Sequence, residues 1–250
     1  MSYVLVKDYV ETQGFNLPLE EVQVAHMTLN AILAMKHTHV STPELVSLPL
    51  ILQGSDGLYD AAGRLDSERL NLLPYFKSDT PSIRAGLAGL NAALDSITDR
   101  HPLLRLSVYA MLPDMAEPGE MELVCVANMG RASEGVLLVN EQESLRHHAS
   151  RVAKTAWGVV VDDVPYWVSI GELSQLRDPN TQSEMCLPIC TETGAVVGVV
   201  HAESERKQAF DEATQSWLVA LALAAEPVIS AMPWLHVDDH DQDDQPGQGE

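Results

Sequence analysis

The chain has 250 residues and a formal net charge of −21 at pH 7, with 36 acidic and 15 basic side chains. This acidic excess argues against direct binding to nucleic acid or to an anionic membrane, because both require a basic surface. Three cysteines are too few for a disulfide framework, and no apolar run in the sequence reaches the length of a membrane span. With no recognisable signal peptide, we expect a cytoplasmic protein of one or two domains.

Residues 1–80 predict a mainly helical region whose role the sequence leaves open. The apolar pattern over 19–36 indicates an amphipathic helix, and the Thr-Pro-Glu sequence at 42–44 indicates another helix start, followed by apolar residues up to 52. Residues 3–10 fit either a strand or a helix, and 64–73 fit a short helix. Polar and turn-forming residues then cluster before Pro81, which predicts a domain boundary there.

The next part of the chain predicts alternating helices and strands. Apolar residues recur at threes and fours over 81–100, as in a helix with one buried face. Residues 103–112 and 121–128 have the composition of two strands joined by a long connection. A further helix is expected over 143–156, and a short apolar strand follows at 159–161.

Residues 183–225 contain the strongest pattern in the chain. The apolar runs at 185–189 and 195–200 are separated by a turn with a glycine, which predicts a β-hairpin. Both runs are apolar on both faces, so we expect the sheet to be covered on both sides. A helix should begin near Asp211, where acidic residues favour a helix N-terminus, and Pro227 is expected to end or kink it.

This segment resembles the C-terminal half of a GAF domain. The matching residues are Ser183, Glu184, Pro188, Ile189, Gly194, Val197, Gly198, Val199, Val200, Glu203, Ser204, Phe210, Asp211 and Glu212. The resemblance implies an α+β fold, an α/β sandwich of GAF or PAS type. It has a central antiparallel sheet, helices behind the sheet and a ligand pocket in front. The GAF-like domain would cover residues 81–232, and the acidic composition of 233–250 predicts a disordered tail.

The resemblance also implies a pocket roofed by the 143–156 helix and by the crossover that follows it. Ten side chains are the candidates for lining it: His148, Arg151, Trp157, Asp162, Tyr166, Trp167, Arg177, Cys186, His201 and Glu203. Polar groups of both signs together with aromatic rings suit a small polar ligand. A solvated loop with aromatic lid packing, and a salt bridge at the strand end, would explain the same residues equally well.

The sequence contains no recognisable catalytic constellation, and we expect neither catalytic nor metal-ligating residues. His147 and His148 are adjacent, so on a helix they point about 100° apart and cannot share one metal ion. Cys186 and Cys190 are about 13 Å apart on a strand, too far to chelate one ion. A single pocket histidine as a haem or metal ligand stays open beside an ordinary helix histidine, and the cofactor remains unknown.

Three functions are consistent with the resemblance. The first is a sensory or regulatory protein that binds a small molecule and signals through a separate effector protein or a homodimer formed by helices 82–99 and 211–226. The second is a scaffold with a closed pocket that serves dimerisation and protein–protein interaction. The third is a free methionine-R-sulfoxide reductase, which is disfavoured because Cys125 and Cys186 fall in strands and the loop cysteines of such enzymes are missing.

Overall fold

The computed structural model describes residues 5–35, 42–50, 69–114, 116–117, 119–173 and 178–235. The helices in these ranges are α1 (Val6–Thr12), α2 (Leu19–Ala34), α3 (Thr42–Leu45), α4 (Pro81–Thr98), α5 (Glu141–Ser144), α6 (His148–Thr155), α7 (Val164–Ser169) and α8 (Glu212–Ser230). The strands are β1 (Ser47–Pro49), β2 (Arg69–Asn71), β3 (Arg105–Pro113), β4 (Met121–Gly130), β5 (Val136–Leu138), β6 (Val159–Val161), β7 (Ser183–Cys190) and β8 (Val196–Ser204).

Six strands form the main sheet, in the order β5-β4-β3-β8-β7-β6, and every neighbouring pair is antiparallel. Two long hairpins, β3–β4 and β7–β8, lie side by side and are joined through β3 and β8 at the centre. Because side chains alternate along a strand, each central strand has one face toward the helices behind it and one toward the front. The expected α+β architecture with an antiparallel sheet is confirmed.

The helices α4 and α8 pack behind the sheet, and side-chain caps fix where each begins. The Thr80 hydroxyl accepts a hydrogen bond from the Ile83 backbone N–H at 3.4 Å, and Asp211 accepts one from the Thr214 N–H at 2.8 Å. Such caps satisfy backbone donors that have no partner inside the helix. Pro227 was expected to end or kink α8, and it does not end the helix, which continues to Ser230. The proline removes one backbone hydrogen bond, to the carbonyl four residues earlier, and only the last turn of the helix follows it.

The N-terminal helices share one hydrophobic core with the sheet and its back helices. The buried side chains of α2 are Val22, Ala25 and Leu29, and this helix packs on α8 and α4. The alternative of a strand or a helix over 3–10 is decided for a helix from Val6 onward by α1, and residues 3 and 4 lie outside the described residues. The domain boundaries at residues 80 and 232 stay predictions.

Two predictions in the N-terminal region meet strands. The helix start at 42–44 is present as the short α3, but β1 begins two residues after α3 ends and pairs with β2. The helix expected over 64–73 is wrong in its described part, since residues 69–71 form β2 and a single 3₁₀ turn follows at Leu73–Tyr75, while residues 64–68 lie outside the described residues. Pairing between distant strands decides these conformations, and local propensity does not record it.

The helix expected over 143–156 is in fact two helices. His147 has an extended backbone, with φ −132° and ψ 120°, and separates α5 from α6. The Arg151 Nε donates to the Ser144 carbonyl at 3.0 Å, which gives a partner to a carbonyl at the end of α5. Leu145 is exposed at this break.

The end of the described chain is packed against the N-terminal region. Trp234 stacks on Phe76 with ring centroids 4.8 Å apart, and its indole N–H donates to the Ile229 carbonyl at 2.9 Å. Most of the predicted tail, residues 236–250, lies outside the described residues. Along the part of the chain that the structure describes, no helix combines the length and the apolar character that a membrane span requires.

Candidate functional site

The register of the central strands brings a set of polar side chains to the front of the sheet. Glu184 of β7 lies opposite Glu203 of β8, and Cys186 lies opposite His201. On the other side of β8, Arg105 of β3 is the partner of Glu203. Directly opposed residues share a face of the sheet. A mostly apolar sheet therefore carries charged groups near its middle.

Glu203 and Arg105 form a buried ion pair. The guanidinium Nη2 lies 2.5 Å from Oε2 of Glu203, and the two side chains are 6% and 1% exposed. Burial opposes the charge of Arg105, but the adjacent Glu203 carboxylate more than compensates and raises the pKa of the arginine. Thr181 donates its hydroxyl to the same carboxylate oxygen at 3.2 Å. The pair fixes one carboxylate at the front of β8.

His201 lies between two carboxylates. Its Nε2 is 3.4 Å from Oε2 of Glu184 and 3.5 Å from Oε1 of Glu203. Burial would lower the pKa of His201, but the neighbouring Cys186 and then Glu203 raise it to about 9. The groups around His201 thus favour the protonated imidazole, against the effect of burial.

His148, at the start of α6, contacts the other oxygen of Glu184 through its Nδ1. The side chain is buried, and burial together with the positive charge of Arg151 lowers its pKa to about 3. The edge of Trp167 lies against the ring, with centroids 5.5 Å apart. His148 is thus a neutral imidazole held between the sheet and α7.

These groups surround a small cavity, here called the front cavity, between the sheet and the helices α6 and α7. Its polar lining includes Glu134, His148, Glu184, His201 and Glu203. The space measures about 30 Å³, which is close to the volume of one water molecule. A ligand of amino-acid or nucleotide size requires the roof to move.

The ten candidate residues fall into three groups. His148, His201 and Glu203 line the front cavity, Trp167 packs on His148, and Cys186 is buried on the same sheet face beside His201. Four others do not line it: Arg151, Trp157, Asp162 and Tyr166. Arg177 lies outside the described residues.

Local geometry explains why those four side chains are elsewhere. Arg151 is occupied by the carbonyls of Ser144 and Glu172. The chain leaves α6 through a left-handed residue, Ala156, and Trp157 that follows it is 60% exposed. Asp162 and Tyr166 are exposed at the outer surface. The order of elements along the chain predicts which elements surround the pocket. It does not predict which side chains of a short element face the pocket and which face outward.

Glu184 is the main residue that the candidate set lacks. The sequence offered a signal, because an acidic residue inside an apolar strand must be paired if the strand is buried. Its partner could not be identified without the register that sets it opposite Glu203. Thr181 and Glu134, which also line the cavity, come from loops with no periodic pattern.

A larger groove of about 480 Å³ lies between α1 and the turn of the β7–β8 hairpin. Its charged side chains, Asp8 and Glu192, are exposed. The Tyr9 hydroxyl donates a hydrogen bond to the Pro188 carbonyl at 2.7 Å and is therefore already partnered. No buried charged groups converge on it among the residues that the structure describes there. The front cavity is therefore the stronger candidate site.

No protein-family model and no curated protein matches this sequence. Among solved structures, the type II free methionine-R-sulfoxide reductase from Thermoplasma acidophilum is 18% identical, with a TM-score of 0.50 over 60% of this chain and 96% of that one. The chain has a GAF-type fold. The similarity to the reductase is to its fold, at an identity that shows nothing about activity.

Two further solved structures align with the GAF-type part of the chain. The GAF domain from Acinetobacter phosphoenolpyruvate-protein phosphotransferase is 17% identical, with a TM-score of 0.45 over 61% of this chain and 84% of that one. The free methionine-R-sulfoxide reductase from Neisseria meningitidis, in complex with its substrate, is 18% identical, with a TM-score of 0.47 over 63% and 95%. The front cavity lies where the resemblance of Ser183–Glu212 to GAF domains implies a pocket.

Proposed function

We propose that this chain is a GAF-type sensory or regulatory protein whose ligand site is the front cavity. The observation that supports this is the buried charged cluster of Arg105, Glu203, His201, Glu184 and the neutral His148 that contacts it. Buried ions cost several kcal/mol each unless they are well paired, and apolar residues of similar size often serve stability better. Clusters of perturbed ionisable groups beside a cavity are typical of functional sites.

Strand β8 offers a route from the cavity to the rest of the molecule. His201 and Glu203 face the front, whereas Val200 and Ala202 alternate to the opposite face, where β8 packs on α8. The helix α8 in turn packs on α2. A ligand that repositions His201 would therefore act on the back helices through a single strand, and α2 would present the change to an effector protein.

A homodimer through helices 82–99 and 211–226 remains part of this proposal, but its small residues are already used inside the chain. A side chain at Gly86 would contact Met232 and Val228, and one at Gly89 would contact Leu33. Ala222 and Ala225 are buried as well. A dimer through these helices would therefore have to use their outer faces, where Ala85 and Asp95 of α4 and Ala213 of α8 are exposed.

Native mass spectrometry tests the proposal on protein purified without denaturation. We expect a mass above that of the denatured chain, which is reduced or lost in Glu184→Gln and retained in Glu192→Gln, a change at an exposed turn. A wild-type protein that carries no extra mass, and whose melting temperature responds to no metal ion and no member of a metabolite set, would contradict it.

The small volume of the front cavity favours a second candidate, the scaffold with a closed pocket. In that case Glu184→Gln would change stability without changing any bound mass, and light scattering would show the same oligomeric state for the variant and the wild type. The reductase has less support, because Cys125 and Cys186 are fully buried and burial raises the pKa of the Cys125 thiol to about 12. Nucleophilic cysteines need an accessible thiolate.

A further inference from the structure

We propose that Glu184, His201 and Glu203 form a binding site for a divalent transition-metal ion in the front cavity. The inference rests on the proposed function and names the chemical class of its ligand. The three residues come from adjacent strands of a rigid sheet, and each points one potential ligand atom at the same place. These atoms all lie within 4.8 Å of one another.

The distances within the triad suit a shared ion better than they suit hydrogen bonds. The Nε2 of His201 is 3.4 Å from Oε2 of Glu184 and 3.5 Å from Oε1 of Glu203. Hydrogen bonds between nitrogen and oxygen are usually about 2.9–3.0 Å long. With metal–ligand bonds of about 2.1 Å, two ligands of a tetrahedral ion are about 3.4 Å apart. These two separations are therefore close to the edge of such a tetrahedron, and the oxygens of Glu184 and Glu203 lie within 4.8 Å of each other.

An independent observation comes from His148, which lines the same cavity. Its side chain is 2% exposed, and within the described part of the chain its Nε2 has no hydrogen-bond partner. Its Nδ1 contacts Oε1 of Glu184, the oxygen that the triad does not use. Carboxylates that bind metals are commonly oriented by such a partner on the other oxygen. His148 is thus placed as a positioning residue for Glu184, and its unpartnered Nε2 belongs to a buried side chain that lines the cavity.

Charge and volume point to the same ligand class. Four carboxylates line the cavity together with one arginine, and Arg105 holds Glu203 from outside it; the lining groups are Glu134, Asp178, Glu184, Glu203 and Arg146. His201 would release its proton when its Nε2 binds a divalent ion, so the ion replaces that charge and adds a second positive charge to an acidic cavity. A space of about 30 Å³ admits one ion with a water molecule and excludes nucleotides.

The donor set selects among metals. Magnesium and calcium prefer sites made of oxygen ligands, whereas an imidazole together with carboxylates suits zinc or ferrous iron. Three protein ligands leave a fourth position that opens into the cavity, where water or a small anion can bind. We therefore expect zinc to bind and magnesium not to compete.

The test is isothermal titration of the chelator-treated full chain with ZnCl₂, followed by the same titration in excess MgCl₂. The sequence beyond the described residues contains His236 and His240 among aspartates, so the double variant His236→Gln/His240→Gln serves as the reference protein. We expect one zinc ion per chain in this reference, unaffected by magnesium. Adding Glu184→Gln or His201→Gln should weaken binding at least about 100-fold, and His148→Gln about 10- to 100-fold.

The inference is overturned if the folded reference protein binds no zinc, or if Glu184→Gln and His201→Gln bind it as tightly as the reference does. Circular dichroism shows whether each variant is folded. If a variant is unfolded, the zinc titration of the reference protein alone tests the inference. Retention of an organic mass in the native spectrum, without zinc binding, would end the metal inference and leave the proposed function intact. Absence of both would end the two together.

Discussion

Glu184 and Glu203 are directly opposed across β7 and β8, and the imidazole of His201 reaches both carboxylates. Two like charges facing each other in a sheet destabilise it unless something compensates them. Here Arg105 holds one carboxylate, and His148 contacts the other. The sheet therefore holds two buried carboxylates that are stable only with their partners. Removing a partner should lower the free energy of unfolding.

The first prediction concerns the ion pair between Arg105 and Glu203. Arg105→Met leaves a buried carboxylate without its partner, so we expect the free energy of unfolding to fall by about 3–5 kcal/mol. The double variant Arg105→Met/Glu203→Met removes both charges and should lose less than the single variant. Urea denaturation followed by circular dichroism measures both.

Lys207→Met is the matched control for this pair. Lys207 contacts Asp163 at 2.6 Å, and the two side chains are 53% and 34% exposed. Solvent-screened pairs contribute little to stability, so this variant should stay close to the wild type. Equal losses for Arg105→Met and Lys207→Met would show that burial of the Arg105 pair is energetically unimportant.

The second prediction concerns pH. Glu122 on β4 is buried, and burial followed by the nearby Asp114 raises its pKa from 4.5 to about 7. A carboxyl whose pKa is higher in the folded state favours folding most when it is protonated. That contribution is complete below pH 4.5 and is lost as the pH rises through 7. It changes by at most about 1.4 kcal/mol per pH unit.

Glu122→Gln removes this titration while keeping the shape of the side chain. Measured by urea denaturation, the variant should gain stability relative to the wild type as the pH is raised from 5 to 8. Glu192→Gln, at an exposed turn, should show no such trend. A difference between Glu122→Gln and the wild type that is constant over this range would refute the raised pKa.

The third prediction concerns Gly198, where β8 approaches β3. A Cβ at this position would lie 2.2 Å from the Tyr109 carbonyl oxygen, a backbone atom of the neighbouring strand. Gly198→Ala should therefore force the central strands apart and destabilise the fold by about 1–3 kcal/mol or more, as overpacking does. Thermal unfolding by calorimetry is a suitable measurement.

Gly194→Ala separates this clash from backbone strain. Gly194 has φ +82° in the hairpin turn, and nothing lies within 4 Å of an added Cβ. The cost there is limited to the left-handed conformation, about 1–2 kcal/mol.

We expect Gly198→Ala also to weaken ligand binding, because His201 lies three residues along the same strand, whereas Gly194→Ala should not. Unchanged binding in a destabilised Gly198→Ala would argue against coupling along β8.

The sequence carried enough information for the sheet and its back helices. The β-branched runs around Gly194 and the apolar spacing after Pro81 are local patterns, and both gave the correct element type. The antiparallel arrangement came from the resemblance of Ser183–Glu212 to GAF domains. These features depend on short stretches of chain in which neighbouring residues all favour the same type of secondary structure.

The site was less predictable because it depends on register and on breaks. Glu184 becomes meaningful only when β7 is aligned so that it meets Glu203. Likewise, the extended backbone of His147 separates α5 from α6, where sequence periodicity indicated a single helix. The outward turn at Ala156 then exposes Trp157. The strand register, the helix break and this turn all depend on contacts between elements, so the sequence of a single element does not predict them.

Gln13 joins the beginning of the chain to the far end of the helix that starts at His148. Its amide donates to the Ala156 carbonyl at 3.0 Å, and its carbonyl accepts from the Gly158 N–H at 2.6 Å. Deleting residues 1–13 would leave both backbone groups without this partner and free the C-terminal end of α6. A shortened protein that begins at Pro81 would thus be a poor stand-in for ligand measurements, because the roof of its cavity would have lost an anchor.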